Sequence, residues 1–211
     1  MTRVLVTGAS GFIGRHLIGR LLRDGVSGRA LVHRGWDEAG EIVGVETVRG
    51  DVQDPDAMRT AAAGTDIVCH LAGRVHALSE VRGDAVLYDA VNVDGTRNVL
   101  EASLDGGAGH VLFFSSVKAM GEGGADCLDE SAEARPTTAY GRSKLAAEEL
   151  VIDHGKRHGL HVTCLRLPAV YGPHNKGNLY RMIAAIDRGY FPALPDTGNR
   201  RSLVHVSNVV E

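Results

Sequence analysis

Strands and helices alternate along most of this chain, which predicts an α/β fold: a doubly wound parallel sheet with helices on both faces. Three observations carry the prediction. Short β-branched runs recur between longer segments of helical periodicity. The first run, Arg3-Val4-Leu5-Val6-Thr7, is continuously apolar in its middle rather than alternating, as a strand buried on both faces requires. Glycine supplies 27 of the 211 residues, well above the usual share of about 7%, and without a collagen-like period, which suits many tight turns.

Each element has its own justification. Phe12 to Arg23 sets Ile13, Leu17, Leu21 and Leu22 at helical spacing and stops at Asp24-Gly25. Arg29–His33 and Val45–Arg49 read as the second and third strands. Asp54 is an N-cap ahead of Pro55 in a first helical turn, so a helix runs to about Ala63. Asp66–Leu71 is a fourth strand, Asp84–Ser103 one long helix, Val111–Phe114 a fifth strand, Ala139–His158 a helix and His161–Leu165 a sixth strand. After Pro168 the prolines and glycines break the rhythm, and the chain ends at Val209-Val210-Glu211 in the opening of another helix. The change of texture divides the chain into residues 1–166 and 167–211.

Composition excludes several classes. With 23 Lys+Arg against 26 Asp+Glu, a net charge of −3 offers no electrostatic footprint for nucleic acid or an anionic membrane. No apolar run approaches the roughly 18 residues of a membrane span, so no membrane insertion is expected, and the apolar N-terminal stretch is too short for a signal peptide. Cys69, Cys127 and Cys164 are scattered and without CxxC spacing, which reads as reduced thiols in a cytoplasmic protein rather than a disulfide frame or a zinc site.

Thr7-Gly8-Ala9-Ser10-Gly11-Phe12-Ile13-Gly14 places glycines at GxxGxxG spacing directly after a strand and into a helix. Gly8 permits the tight turn, Gly11 lets a pyrophosphate approach the backbone and Gly14 allows close helix–sheet packing, while the helix N-terminus offers N–H groups to phosphates. The second strand ends in His33-Arg34-Gly35, with no acid before Asp37 to hold a ribose diol. Arg34, with Arg15 nearby, either accepts a 2′-phosphate, which allows NADP, or is a solvated surface charge.

Tyr140-Gly141-Arg142-Ser143-Lys144 has YxxxK spacing at the start of a helix, so phenol and ammonium share a face. A neighbouring cation favours the phenolate and makes tyrosine a usable acid/base. Ser115-Ser116 close the fifth strand, and ligands of an open parallel sheet bind outside the carboxyl ends of its strands. A hydroxyl there either hydrogen-bonds a reacting oxygen or merely caps the strand end.

These stretches, with Gly50-Asp51-Val52, His70-Leu71-Ala72-Gly73, Asn92-Val93-Asp94-Gly95-Thr96 and Ser115-Ser116-Val117-Lys118-Ala119-Met120-Gly121, occur in order. Together they resemble the extended short-chain dehydrogenase/reductase family, in particular its NAD-dependent, nucleotide-sugar epimerase/dehydratase branch. The resemblance implies a Rossmann-like dinucleotide domain over residues 1–166 and the beginning of a smaller substrate-binding region over 167–211, cut short relative to the family. It implies Tyr140 as acid/base, Lys144 on the nicotinamide ribose and Ser116 orienting the substrate hydroxyl. It places Gly8, Ser10, Gly11, Phe12, Ile13, Gly14, Asp51, Val52, Leu71, Ala72, Gly73, Asn92, Pro168 and Val170 around NAD or NADP, with NAD favoured by the family.

By the same likeness Arg201 meets a substrate diphosphate, as suits a guanidinium. Ala169 stands where many relatives carry an asparagine, and Asn178 is the candidate to replace that contact. Val117 and Lys118 occupy the positions of the extra dehydratase carboxylates, which disfavours dehydration. The implied activity is 4-epimerisation of a UDP-sugar, of the UDP-N-acetylhexosamine type, by a homodimer. The alternatives are reduction of a 4-keto nucleotide sugar or other carbonyl, and a cofactor-binding protein without catalysis. His154, His158 and His161 cluster without the glutamate of HExxH and read as a solvated helix end, and His205 as ordinary packing. Trp36 reads as an exposed turn residue.

Overall fold

The structure is a computed structural model that describes residues 2–33, 44–75, 84–122, 128–175, 177–192, 198 and 200–211. Six strands form one wholly parallel sheet: β1 (Arg3–Thr7), β2 (Ser27–Val32), β3 (Glu46–Arg49), β4 (Ile67–His70), β5 (His110–Ser116) and β6 (His161–Leu167). Their order is β3-β2-β1-β4-β5-β6, the doubly wound arrangement expected, and it reverses direction between β1 and β4. The inner strands β2, β1, β4 and β5 are largely covered on both sides, which is why their sequences do not alternate, whereas the edge strands β3 and β6 are only partly covered.

The helices divide between the two faces. α1 (Phe12–Arg23) and α7 (Val206–Val210) cover one, where Leu17, Ile18, Val206 and Val210 meet Val4, Val6, Val32 and Phe114. α2 (Pro55–Ala62), α4 (Gly95–Asp105) and α5 (Ala139–His158) cover the other, packing Met58, Val99, Leu100 and Val151 on Leu5, Val68, Val111 and Phe113. The Asp54 side chain caps α2 by accepting from the N–H groups of Asp56 and Ala57. Thr138 caps α5 in the same way through Gly141 N–H, and Gly159, at φ +65°, ends it in the left-handed conformation.

The long helix expected over Asp84–Ser103 is interrupted. α3 (Asp84–Tyr88) passes into a π-helical turn over Asp89–Asp94 before α4 resumes. The extra residue lets Asn92 bury its side chain among residues of other elements, while the Thr96 hydroxyl donates to the Asn92 carbonyl at 2.6 Å. Beyond residue 167, β7 (Ala169–Tyr171) pairs in parallel with β8 (Leu203–His205), and α6 (Asn178–Asp187) buries no side chain. His205 is more than packing: it caps α7 by accepting from Ser207 N–H, with its ring edge against Tyr171.

Candidate active site

At the carboxyl edge of the sheet lies a cleft of about 740 Å³. Its floor is the turn between β1 and α1. Gly8 sits at φ +67°, and a Cβ there would lie 2.7 Å from the Ala72 backbone nitrogen, so neither conformation nor space admits a side chain. Gly14 presses against the Gly8 carbonyl and Ala9, which seats α1 tightly on the turn. Gly11 is different. Its missing Cβ would meet only the Gly8 carbonyl oxygen, at 3.1 Å, and its own N–H donates to that oxygen. α1 starts there with no side-chain cap and no acid in its first turn, so its N–H groups are available to an anion. Ser10, Phe12 and Ile13 line the cleft beside the three glycines, and Arg15 braces the turn by donating from Nε to the Ser10 carbonyl at 2.8 Å.

One end of the cleft is acidic and polar. Asp51 and Val52 follow β3, and the Asp51 carboxylate accepts from Gln53 N–H at 3.0 Å and lies 3.2 Å from His33 Nε2. The acid thus comes from the strand beside β2, not from β2 itself. His33 and Gln53 line the cleft as well, without any motif to mark them.

The wall after β4 is built from Leu71, Ala72 and Gly73. The Thr7 hydroxyl holds it by accepting from Ala72 N–H at 3.1 Å. Fully buried His70 bridges the two halves of the sheet edge, 2.7 Å from Thr7 Oγ1 through Nδ1 and 3.0 Å from Thr96 Oγ1 through Nε2. Burial, helped by the charge of Lys144, pushes its pKa down to about 3 and keeps the ring neutral. Asn92, expected among the cofactor contacts, stands behind this wall. Its amide oxygen accepts from Arg74 N–H at 2.8 Å, and its NH₂ donates to the Arg74 carbonyl and to Ser143 Oγ.

Ser116, Tyr140 and Lys144 all line the far end. The Ser116 hydroxyl accepts from Lys118 N–H at 3.2 Å, capping a short 3-10 turn over Val117–Ala119, and also hydrogen-bonds the Tyr140 phenol. The capping role that the sequence left open is thus present, and the hydroxyl also lies beside the phenol. The Lys144 ammonium donates to the Phe114 carbonyl at 2.8 Å and lies 4.1 Å above the Phe113 ring. Burial brings its pKa down to about 8 against the opposing pull of Glu148.

The phenol departs from expectation. Burial raises the Tyr140 pKa, and the Ser116 hydrogen bond, not the ammonium, is the opposing influence. Lys144 is directed at β5 in this arrangement, so spacing on one helix face does not by itself put the cation on the phenol. Beside them Tyr88, fully buried, sets its ring 5.8 Å from that of Tyr140.

Pro168 and Val170 also line the cleft, just past β6. Asn178, the first residue of α6, and exposed Arg201 do not line it. Ala169 lies in β7 and is exposed. Arg34, Trp36, Asp37 and Cys127 lie outside the described residues. A pair that no sequence motif marked, buried Glu148 with partly buried Arg166, sits directly behind Ser115.

Comparison with known proteins agrees with this geometry. Residues 4–211 match the model of the NAD dependent epimerase/dehydratase family. The chain is 31% identical over 215 residues to a UDP-glucose 4-epimerase of Vibrio cholerae, covering 99% of this chain and 64% of that protein. It is 33% identical over 210 residues to the N-acetyl-alpha-D-glucosaminyl-diphospho-ditrans,octacis-undecaprenol 4-epimerase of Escherichia coli O157:H7, covering 99% of this chain and 61% of the relative. The chain thus spans less than two thirds of the length of these relatives. Among solved structures, the Thermus thermophilus UDP-glucose 4-epimerase complex with NAD superposes with a TM-score of 0.83 at 28% identity, over 99% of this chain and 72% of that one. MoeE5 in complex with UDP-glucuronic acid and NAD gives 0.85 at 30% identity, over 99% and 69%. A glycine turn under an uncapped helix, a hydroxyl–phenol–ammonium group across the same cleft, and a family match over almost every residue lead to one assignment: the chain belongs to the NAD dependent epimerase/dehydratase family.

Proposed function

We propose that this chain carries the cofactor site and reacting groups of a nucleotide-sugar 4-epimerase, acting on a UDP-sugar of the N-acetylhexosamine type. The observation that carries the reading is that Ser116, Tyr140 and Lys144 share one cleft with the Gly8–Gly14 turn. Residues 1–166 are the dinucleotide-binding unit in this reading, and 167–211 begin the substrate-binding region, although α7 packs on α1.

The cleft fits a dinucleotide. The open face of Gly11 and the uncapped start of α1 suit a pyrophosphate, Asp51 suits an adenine amine, and Pro168 and Val170 give the far end an apolar rim. When bound, NAD or NADP supplies a hydride acceptor and donor. The chain's own part is the proton and the orientation. Ser116 Oγ holds the sugar hydroxyl, and the Tyr140 phenolic oxygen takes its proton and returns it. The Lys144 ammonium holds the nicotinamide ribose, and a cation brought near the phenol in that way lowers the phenol's pKa.

The test is incubation of the protein with NAD and a panel of UDP-sugars, and in parallel with NADH or NADPH and 4-keto nucleotide sugars. The expected result is interconversion of 4-epimers with cofactor in trace amounts. Stoichiometric consumption of reduced cofactor makes the protein a carbonyl reductase instead, and tight NAD binding without turnover makes it a non-catalytic binder. Arg34→Ala tells the cofactors apart: it weakens NADP more than NAD if the guanidinium meets a 2′-phosphate. A homodimer belongs to the same proposal. α4 and α5 lie side by side and leave Leu104 and Ile152 exposed, and sedimentation velocity measures the association. The proposal sets the protein in the cytoplasm.

A further inference from the structure

Glu148 is 1% exposed, a position that a carboxylate occupies in ionised form only when a cation and hydrogen bonds compensate it. Both are present. Arg166, from β6, brings Nε to 2.9 Å and Nη2 to 2.7 Å of Oε2, and Nε also lies 3.1 Å from Oε1. The Ser115 hydroxyl donates to Oε1. The remaining arm of Arg166, Nη1, donates to Met120 Sδ at 2.7 Å, just after the turn that Ser116 caps.

The cluster reaches the cleft through Ser115, which lines it. Ser115 is the chain neighbour of Ser116, and the Phe114 carbonyl before it accepts from Lys144. Glu148 also follows Lys144 by four residues on α5, which sets the two on one helix face. We propose that Glu148 is a positioning residue: with Ser115 and Arg166 it forms a buried charge clamp that keeps Lys144 cationic and fixes the end of β5 bearing Ser116. The proposal rests on the reading of Lys144 and Ser116 given above.

The surroundings of Lys144 narrow the source of its charge. β4 presents His70, which is neutral, and β5 presents the Phe113 ring and the Phe114 carbonyl. β6 presents Cys164, whose thiol burial pushes up to about 11, and Arg166, already committed to Glu148. Its own helix adds Tyr140, a neutral phenol, and Glu148. Among the described residues, the carboxylate set on the Lys144 face of α5 is that of Glu148.

The chain has four lysines, Lys118, Lys144, Lys156 and Lys176, so the ¹³Cε resonances of lysine-labelled protein can be assigned by loss of one signal in Lys144→Arg. Glu148→Gln keeps the shape and removes the charge. The Lys144 titration midpoint is expected to fall by about one pH unit or more, and the alkaline limb of kcat to move with it, while NAD affinity changes less than about threefold. Glu148→Asp keeps the charge with poorer reach to Arg166, and should return most of the midpoint while lowering Tm. A midpoint unmoved in Glu148→Gln, or moved equally by Gln and Asp, overturns the proposal and leaves a packing role. If a lone, partly buried Arg166 prevents Glu148→Gln from folding, Glu148→Gln/Arg166→Met removes both charges and is expected to give a smaller shift in the same, downward direction, because loss of the Arg166 cation partly offsets loss of the carboxylate. The titration uses neither cofactor nor sugar. Absence of epimerase turnover therefore overturns the proposed function separately, while the Lys144 midpoint still decides whether the clamp exists.

Discussion

The Asn92 side-chain amide donates to Ser143 Oγ at 2.9 Å, and Ser143 Oγ in turn donates to the Tyr140 carbonyl at 2.8 Å. The π turn is thereby tied to the first turn of α5, which carries the reacting phenol. Asn92→Ala leaves Arg74 N–H and the Ser143 hydroxyl without this partner. A loss of about 1–3 kcal/mol in a urea titration is expected. Affinity for NAD should fall only slightly, because Asn92 stands behind the cleft wall; a large loss by calorimetry would make it a direct contact.

Two glycines of one turn should respond in opposite ways. Gly11→Val crowds only the Gly8 carbonyl, at 3.1 Å, and otherwise points into the cleft, so Tm should fall modestly while NAD binding is lost. Gly14→Ala drives a methyl into the Gly8 carbonyl and Ala9, both backbone groups that cannot swing aside. Its cost falls on folding, by roughly 1–3 kcal/mol as for other overpacked sites. Calorimetry with NAD and thermal melting of both variants check the contrast.

Tyr140→Phe removes one oxygen from a partly buried ring that packs on Tyr88. Turnover should drop by about 10²–10⁴, the usual contribution of a positioned acid/base, with NAD affinity almost unchanged. Full activity in this variant would place the proton elsewhere.

His70 gives the fold an acid sensitivity. Its native pKa lies at about 3, below the ordinary 6.5, so below pH 6.5 the unfolded chain takes up a proton that the native ring refuses. Stability is therefore full above 6.5 and declines as pH falls toward 3, by up to about 1.4 kcal/mol for each unit. In His70→Gln, chemical denaturation across pH 4–7 should show a lower but flatter curve. An equal slope in the two proteins would assign the acid loss to other groups.

Local signals make much of this fold legible in the sequence. α1 and α5 have the bounds expected of them, because Gly11, Thr138 and Gly159 mark ends that the backbone reads within a few residues. The parallel sheet follows from the alternation of elements and the handedness of their crossovers. What stays hidden depends on distant partners. The π turn exists because Asn92 finds Arg74 and Ser143, 18 and 51 residues away, and periodicity in one helix carries no trace of either. Glu148 reads as one more polar helix residue until Arg166 and Ser115 meet it. The direction of the Tyr140 shift is hidden for a related reason: the ammonium finds a carbonyl on β5, and no spacing rule reports which acceptor a long side chain chooses.

The middle of the sheet is stitched from residues far apart in the chain, with Val4 beside Ile67 and Thr7 beside His70. A ribosome must release some seventy residues before that central seam can close, and β5 and β6 can be added only afterwards. Until then β1, apolar and paired on one side with β2, has its other edge open. Chaperone capture is therefore expected at early chain lengths, and release once His70 has docked against Thr7.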